Sequence, residues 1–155
     1  MEKTDDIKVV ATNRKAWHDY HILNKYEAGI VLLGTEVKSI RQGTVNLKDS
    51  YATFKNGEIF LIGVHIGPYK QAGVCNHNPE RVRKLLLNRR EINKLIGTLK
   101  EKGVSLVPLL VYIKNAKIKV EIAIVRGKRQ YDKREAIQKR DMERDAKREM
   151  KSRQY

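Results

Sequence analysis

LVPLLVYIKNAKIKVEIAIV, residues 106–125, contains two β-rich runs joined by a tight turn at Asn115-Ala116. In the second run, Lys117–Val125, apolar side chains alternate with mostly charged ones. Successive side chains of a strand point to opposite faces, so this alternation predicts one buried face and one wet, partly basic face. With the first run, Leu106–Ile113, it predicts the last hairpin of a β-rich fold.

A second hairpin is predicted at Ser50–Ile62, where alternating residues flank Asn56-Gly57. This pair suits a type I′ turn because both central positions need positive φ. Tyr20–Leu33 is expected to form a long strand bent at Ala28-Gly29, since glycine inside a strand often marks a bulge or a close backbone approach. Bulges of this kind let a sheet curl into a barrel. The remaining predicted strands are Ile7–Thr12 and Val64–Pro68.

Two helices are predicted between these strands. Thr35–Gln42 has Thr35 as its N-cap and Gly43 as its stop signal. Asn88–Lys102 opens with a capping-box pattern at its first residue and carries one apolar stripe. Two further segments are expected to be loops, a basic one at Asn13–Tyr20 and a flexible one at Tyr69–Asn78.

The predicted fold is mainly β, an OB-fold-like small β-barrel of about six strands with two or three short helices. Many short antiparallel strands with turn signals, interrupted by a helix, favour this architecture. An open α+β sheet is the alternative. We expect two units, a barrel at residues 1–126 and a basic C-terminal tail at residues 127–155.

The charge of the chain points to a polyanionic partner. Its 33 Lys and Arg against 18 Asp and Glu give a net charge of +15. From Lys128 onward there are 11 basic and 6 acidic residues, so the tail supplies 11 − 6 = +5 and the body 15 − 5 = +10. A body this basic favours nucleic acid, or less often an anionic membrane surface. Membrane insertion is not expected, because no apolar run approaches the roughly 20 residues of a spanning helix.

The first residues, MEKTDDIKVV, lack the layout of a secretory signal. A single cysteine, Cys75, excludes an internal disulfide and fits a reducing compartment. We therefore expect a cytoplasmic protein.

The tail has few apolar side chains with which to offset the ordering entropy of about 1–2 kcal/mol per residue. Its residues are mostly good helix formers, with acids and bases three and four residues apart. We expect a segment that is disordered or marginally helical in water and becomes a helix against a polyanion. The alternative is a solvated helix that only adds solubility.

Catalytic and metal-binding patterns are weak in this sequence. Cys75 and His77 could pair as nucleophile and base, but no third group is evident to orient them. His18 and His21 have a spacing that could ligate a metal on a helix, whereas the surrounding alternation favours a strand or loop. No phosphate-cradling glycine loop is present. We expect no enzymatic activity, no cofactor and no metal.

Two basic clusters are stronger signals. Arg14-Lys15 lies beside Trp17, His18 and Tyr20, a mixture of cations and flat rings typical of proteins that hold unpaired or folded RNA. The alternative for Trp17 and Tyr20 is burial in the core. The second cluster surrounds Leu85-Leu86-Leu87, of which two are expected in the core and one outside. Its basic members are Arg81, Arg83, Lys84, Arg89 and Arg90.

Several longer sequence motifs then resemble one protein family. They occur in order from about residue 8 to the end, and together they resemble the SmpB family, the bacterial SsrA-binding proteins that are partners of transfer-messenger RNA (tmRNA). Ala116 stands where that family commonly has a turn glycine. The motifs are Asn13-Arg14-Lys15-Ala16, His18-Asp19-Tyr20, Gly34-Thr35-Glu36-Val37-Lys38-Ser39-Ile40-Arg41, Asn46-Leu47-Lys48-Asp49-Ser50-Tyr51-Ala52, Arg83-Lys84-Leu85-Leu86-Leu87, Leu106-Val107-Pro108-Leu109, Gly127-Lys128-Arg129 and Tyr131-Asp132-Lys133-Arg134.

The resemblance implies an OB-like barrel that binds the tRNA-like domain of tmRNA and enters stalled ribosomes for trans-translation. The barrel would substitute for the anticodon arm, and the tail would lie in the empty mRNA channel beside the 16S rRNA decoding centre. We expect a monomer in solution. The alternatives are a general single-strand RNA-binding OB-fold protein and a small RNA-processing enzyme using Cys75 or His77.

The resemblance also implies positions for RNA contacts. The positions carried over from the family as RNA-facing are Asn13, Arg14, Lys15, Glu27 and Leu86. Those added here on charge, polarity and position are His18, Lys38, Arg41, Lys48, Arg83, Lys84 and Lys128. The tail positions expected at the decoding centre and along the mRNA channel are Tyr131, Asp132, Lys133, Arg134, Ile137, Lys139, Arg140, Arg144, Lys147 and Arg148.

Overall fold

A computed structural model describes residues 6–101, 103–128 and 138–148 of the chain. The helices in these ranges are α1 (Arg14–Asp19), α2 (Gly34–Arg41), α3 (Arg89–Leu99), a 3-10 helix at Lys70–Cys75 and a helix over residues 138–148. The strands in the same ranges are β1 (Ile7–Thr12), β2 (Tyr20–Ile30), β3 (Val45–Asn46), β4 (Tyr51–Lys55), β5 (Glu58–Ile62), β6 (His65–Ile66), β7 (Arg83–Leu86), β8 (Val104–Lys114) and β9 (Lys117–Gly127).

Six of these strands close into a ring. Their order is β8-β4-β5-β7-β2-β9, and β9 pairs again with β8. β1 adds to the outside of the ring by pairing with the last part of β8, and β3 pairs with β6 in a separate two-stranded ribbon. All pairings are antiparallel. The predicted barrel of about six strands is confirmed, and the open α+β sheet is excluded by the ring closure.

The main core fills the ring. β9 points Val120, Ile122 and Ile124 inward, as its alternation predicts, and α3 adds Ile92 and Leu95. Burial of such side chains stabilises the fold by about 1.5–3 kcal/mol each. Within the described residues, no helix is long and apolar enough to cross a membrane.

A second, smaller core lies on the outside of the ring, under α1. Ala16 of α1 packs there against apolar side chains from three neighbouring strands. The strand residues of this cluster are Tyr20 and Ile22 of β2, Val107, Leu109 and Leu110 of β8, and Ala123 and Val125 of β9. The segment that we predicted as a basic loop, Asn13–Tyr20, is therefore a helix packed on the sheet.

β-bulges on both sides of β9 produce this second core. In β8 the register with β9 shifts between Pro108 and Leu110, and in β2 it shifts between Ile22 and Asn24. A one-residue shift sends the following side chains to the opposite face. The apolar end of the outer face is thereby covered by α1, and the rest remains open. The bulge in β2 lies earlier in the strand than Ala28-Gly29, and Gly29 instead marks a close approach to β7.

The helix boundaries differ from prediction at their first residues. α2 starts at Gly34 and is preceded by Leu33, whose N–H donates to the Glu36 carboxylate at 2.9 Å, so Thr35 is not its N-cap. α3 starts after Asn88, but the Asn88 side chain makes no capping hydrogen bond. Both helices were predicted within a few residues of their observed ends.

The segment Tyr69–Asn78, predicted as a flexible loop, contains the 3-10 helix. Asn76 closes its base, because its side chain accepts a hydrogen bond from the Tyr69 N–H at 2.9 Å and donates one to the Tyr69 carbonyl at 2.8 Å. The strand predicted at Val64–Pro68 is shorter, at His65–Ile66.

Both predicted two-residue turns have the expected handedness. Asn56 and Gly57 have φ of 53° and 76°, and Asn115 and Ala116 have φ of 50° and 64°. Positive φ at both positions is the type I′ requirement. Ala116 meets it at a cost of about 1–2 kcal/mol, because its Cβ crowds the following carbonyl in this conformation.

A buried ion cluster ties α2 to the ring. Glu36 and Arg83 are both fully buried, and the Arg83 Nε donates to Glu36 Oε2. Arg81 donates to Glu36 Oε1 from its Nε at 3.1 Å. The Arg83 guanidinium also donates to the carbonyl of Val64 at 2.8 Å and to that of Pro79 at 3.0 Å. One carboxylate thus links α2, β7 and the segment before β7.

The same contacts set the pKa of Glu36. Burial alone would raise it, but the hydrogen bonds from Arg81, the Leu33 N–H and Arg83 outweigh burial and hold the pKa below its ordinary value of 4.5. A carboxylate whose pKa is lower in the folded state stabilises the fold above the unfolded-state pKa. That contribution is lost as the pH falls through the folded-state pKa.

We expect Glu36→Gln to lower the free energy of unfolding at neutral pH by about 3–5 kcal/mol, because Arg83 would remain buried without its counter-charge. Chemical denaturation measures this loss. The wild type should become less stable as the pH falls below about 4.5, and the stability of the variant should depend less on pH in that range.

Glu58→Gln is the matched control. Glu58 pairs with Lys84 at 2.9 Å, but both side chains are more than a third exposed, so its removal should cost about 0–1 kcal/mol. Equal effects of the two substitutions would contradict a special role for the buried cluster.

Candidate nucleic-acid interface

α1 forms a ridge on the outside of the ring, with Ala16 beneath it. At 3.6 residues per turn, Lys15 and Trp17 point to opposite flanks of this ridge, and Arg14 and His18 point away from the sheet. The Lys15 Nζ lies 2.7 Å from Asp49 Oδ1 on one flank. On the other flank the Lys25 Nζ lies 4.7 Å from the centre of the Trp17 ring.

Asn13 fixes the start of α1 to the bulge in β8. Its side-chain Nδ2 donates to the Pro108 carbonyl at 2.9 Å, and its backbone N–H donates to the Leu109 carbonyl at 2.8 Å. Its Oδ1 accepts from the Ala16 N–H at 3.2 Å, which caps the helix. Proline lacks an N–H and is therefore tolerated in a strand at a bulge. The exposed cations of α1 are positioned by this clamp.

Beyond α1, the open part of the outer face forms a continuous surface that we call the outer strip. It begins at Trp17 and ends at Leu86, which lies opposite Gly29 in the β2–β7 pairing. Within it Glu27 lies opposite Glu121, and Tyr112 lies opposite Lys119. The members of the outer strip are Trp17, Lys25, Glu27, Leu86, Tyr112, Lys114, Lys119 and Glu121, of which Tyr112 is buried and the others are exposed or half-buried.

Glu27 is held as a charged acceptor in the middle of the outer strip. The Tyr112 hydroxyl donates to Glu27 Oε2 at 2.5 Å, and the Lys114 Nζ lies 3.5 Å from the same oxygen. The hydrogen bond from Tyr112, with the charge of Lys114, lowers the pKa of Glu27. Burial and the nearby carboxylate raise the pKa of Tyr112, so the phenol keeps its proton. An ionised carboxylate only accepts hydrogen bonds, and base amino groups are suitable donors.

Leu86 supplies an apolar contact at the far end. It is 50% exposed, whereas Leu85 is buried and Leu87 packs against the core. The prediction of two core leucines and one outward leucine is confirmed. A Cβ at Gly29 would lie 3.3 Å from the Leu86 Cβ, so glycine there lets β7 approach β2 closely.

The other predicted cations surround the outer strip. Lys38 and Arg41 are exposed on α2, where the Lys38 Nζ lies 5.3 Å from the Tyr69 ring centre. Lys84 is half-buried and paired with Glu58, and Lys48 is exposed next to Asp49. α2 borders the Leu86 end, because Val37 and Leu86 line one groove.

The structure corrects two predicted RNA contacts. Arg83 is fully buried in the ion cluster, and Asn13 is 6% exposed with its side chain engaged in the clamp. Their predicted RNA-facing orientation is therefore wrong, and both residues act on the fold. The sequence analysis did not select three lysines of the outer strip, Lys25, Lys114 and Lys119, or the buried Tyr112 that donates to Glu27. The alternation in Lys117–Val125, which predicts a wet and partly basic face, was the available signal for Lys119.

The predicted pair of Cys75 and His77 does not form a reactive site. His77 is buried, with Nε2 donating to the Ile66 carbonyl at 2.9 Å and Nδ1 at 2.8 Å from the Thr35 hydroxyl. Its two ring nitrogens thus serve the fold. His18 Nδ1 lies 2.9 Å from Asp19 Oδ1. The described ranges contain no group of three or more His, Cys, Asp or Glu side chains that could hold a metal ion.

The tail starts beside α1. The Lys128 N–H donates to the Asp19 carbonyl at 3.0 Å. Residues 138–148 form a helix in which every residue is exposed, and this helix carries Lys139, Arg140, Arg144, Lys147 and Arg148. The predicted positions Tyr131, Asp132, Lys133, Arg134 and Ile137 lie outside the described residues.

Comparison with known proteins agrees with this architecture. The family model described as SmpB protein matches residues 10–152. The SsrA-binding protein of Acetivibrio thermocellus is 60% identical over 95% of this chain and 96% of its own length. That of Caldicellulosiruptor bescii is 58% identical over 96% and 94%, respectively. A solved chain from "tmRNA-SmpB: a journey to the center of the bacterial ribosome" has a TM-score of 0.67 and 45% identity, covering 82% of this chain and 93% of its own.

We expect Asn13→Ala to lower the free energy of unfolding by about 2–4 kcal/mol, because it removes a helix cap and leaves the buried Pro108 carbonyl without its donor. Asn13→Ser keeps an oxygen for the cap but is too short to reach Pro108, so its loss should be smaller. The exposed Asn46→Ala is the control and should change stability by less than about 1 kcal/mol. Wild-type stability of Asn13→Ser together with weakened RNA binding would contradict the structural role.

Proposed function

Because the chain belongs to the SmpB protein family, we propose that it binds tmRNA, the SsrA RNA, and delivers it to stalled ribosomes for trans-translation. The observation that carries this proposal is the outer strip with the α1 ridge beside it. There, cations, an exposed ring, an apolar side chain and a fixed carboxylate lie on one continuous face. In addition, the relatives are SsrA-binding proteins, and the similar solved chain comes from work on tmRNA-SmpB and the bacterial ribosome.

The mixture of groups suits a folded RNA with exposed bases. Lysines and arginines bind phosphates, and rings stack on bases that are not paired. Glu27 would repel phosphates, so its presence favours a base edge at that point, where its oxygens accept from an amino group. The RNA contacts we propose are Arg14, Lys15, His18, Glu27, Lys38, Arg41, Lys48, Lys84, Leu86 and Lys128, with Lys114 and Lys119 of the outer strip added.

The barrel, residues 1–126, would substitute for the anticodon arm, and the tail, residues 127–155, would occupy the empty mRNA channel next to the 16S rRNA decoding centre. Lys128, at the start of the tail, lies beside α1, so the tail would begin next to the RNA-binding ridge. On the helix over residues 138–148, Arg140, Arg144, Lys147 and Arg148 fall on one side at i, i+4, i+7 and i+8, which gives a basic stripe for phosphates. A channel filled by mRNA would exclude this segment.

We propose a non-catalytic adaptor acting in the cytoplasm. His77, the candidate general base, is hydrogen-bonded through both ring nitrogens, to the Thr35 hydroxyl and the Ile66 carbonyl. The candidate nucleophile Cys75 lies exposed on the 3-10 segment. Tagging of stalled nascent chains by a variant with Cys75→Ser and His77→Asn would agree with this proposal.

A general single-strand RNA-binding protein is the second candidate, favoured by a small barrel with an exposed tryptophan. Competition separates the two. If tmRNA is the ligand, poly(U) should displace the labelled tRNA-like domain only at a large excess. Displacement by an equal nucleotide concentration of poly(U) would favour the general binder.

We expect that ending the chain after Lys128, which retains the bond to Asp19, changes the affinity for tmRNA less than about 3-fold and abolishes tagging of stalled nascent chains. Affinity is measured by anisotropy and tagging in a reconstituted translation system. Full-length protein with Arg140, Arg144, Lys147 and Arg148 replaced by glutamine separates the charge of the tail from its length. Equal losses of affinity and tagging on truncation would make the tail a general RNA-affinity segment.

A further inference from the structure

We propose that Trp17 is a stacking site for an unpaired base of the bound RNA, and that Lys25 and Glu121 orient its ring. This inference rests on the proposed function, because it concerns how the same surface holds RNA. Trp17 is 43% exposed at the edge of the α1 ridge, and it is the only tryptophan among the 155 residues. An indole with this much open surface leaves apolar area that a base can cover.

The pair Lys25 and Glu121 favours one orientation of the Trp17 ring. The Lys25 Nζ lies 4.7 Å from the Trp17 ring centre, within the range of a cation–π contact, and 3.7 Å from Glu121 Oε1. Glu121 thus favours a position of the ammonium beside the ring, and the cation–π contact favours one orientation of the indole. A ring restrained before binding loses less entropy when a base stacks on it.

The surroundings favour a base over an apolar protein partner. Arg14 and His18 lie on the exposed side of the same helix, and Lys25 lies at the ring itself. Arg14 and His18 match the phosphates on either side of a stacked nucleotide, whereas Lys25 contacts the ring. Glu27 lies two residues beyond Lys25 on the same face of β2, about 7 Å away. A carboxylate there can accept from the amino group of a neighbouring base.

The stacking itself should tolerate any base, since every base has a π-face. Trp17 would therefore add affinity, and Glu27 would add selectivity. The base could come from the tRNA-like domain or from ribosomal RNA, and the chemistry of stacking is the same for both.

The test uses the fluorescence of the full-length protein, in which Trp17 is the only tryptophan reporter. Binding is followed independently by anisotropy of labelled RNA. We expect the tRNA-like domain to quench Trp17 and to protect it from iodide. Quenching that appears only when small ribosomal subunits are added would assign the base to ribosomal RNA. Binding by anisotropy with unchanged Trp17 fluorescence in both mixtures would overturn the proposal.

Substitutions give a second measurement. Trp17→Leu should weaken binding of the RNA that causes the quench by about 5- to 100-fold, and Trp17→Phe should recover part of the loss. Tyr51→Leu is the matched control, an aromatic residue of 48% exposure on β4, which lies across the ring from β2. A Trp17→Leu affinity equal to that of the control would overturn the proposal even if some quenching occurs.

Lys25→Met tests whether Lys25 positions the Trp17 ring. It should weaken binding several-fold and leave the slope of log affinity against log salt unchanged. A direct phosphate contact would instead lower that slope by about 0.7–0.9 and overturn the positioning role. Absence of any RNA binding by the wild type would contradict the proposed function itself, which distinguishes that failure from failure of the stacking site.

Discussion

β8 is the strand on which the rest of the structure depends, because it pairs with three others. Its first part meets β4, its last part meets β1, and β9 follows it almost throughout. Leu109 is the extra residue of the bulge between Pro108 and Leu110, and this bulge changes which side chains face outward. Val107 before it, Leu109 in it, and Leu110 and Tyr112 after it therefore all point away from the main core. The first three pack under α1, and Tyr112 reaches the outer strip. The one extra residue of the bulge thus provides both the apolar surface on which α1 packs and the outward Tyr112 hydroxyl.

Buried charge in this protein serves the fold and not the ligand. Glu36, Arg81 and Arg83 satisfy one another and three backbone carbonyls, with Arg81 partly exposed and the other two inside. Isolating one charge there is costly, whereas an exposed pair such as Lys15 with Asp49 can open at little cost when a phosphate competes for the lysine. The distinction between inner and outer arginines decides which of them remain available for RNA.

Local patterns were sufficient for the parts of the fold that depend on neighbours in sequence. The alternation in β9, the Asn56-Gly57 turn and the apolar stripe of α3 all gave the observed elements. Bulges could not be located in this way, because they depend on pairing with a distant strand; the sequence therefore gave no sign that Tyr112 faces outward. α1 was missed for a related reason, since its six residues are held by the Asn13 clamp and by packing on the sheet. Arg83 and Lys84 are adjacent and equally basic in sequence, and only the fold shows that one is buried and the other half-open.

The distribution of charge separates attraction from recognition. The net charge of +15 is spread over body and tail, and such a field attracts any polyanion at a rate and affinity that salt reduces. The outer strip is different, because Glu27 and Glu121 lie among Lys25, Lys114 and Lys119 and weaken its attraction for phosphate alone. A surface selected only for affinity would carry no carboxylates there. Their presence, with Glu27 bonded to Tyr112 and Lys25 paired with Glu121, fits the proposed recognition of donors and rings at defined positions. We infer that discrimination among RNAs arises on the outer strip, while the remaining cations bring RNA to it.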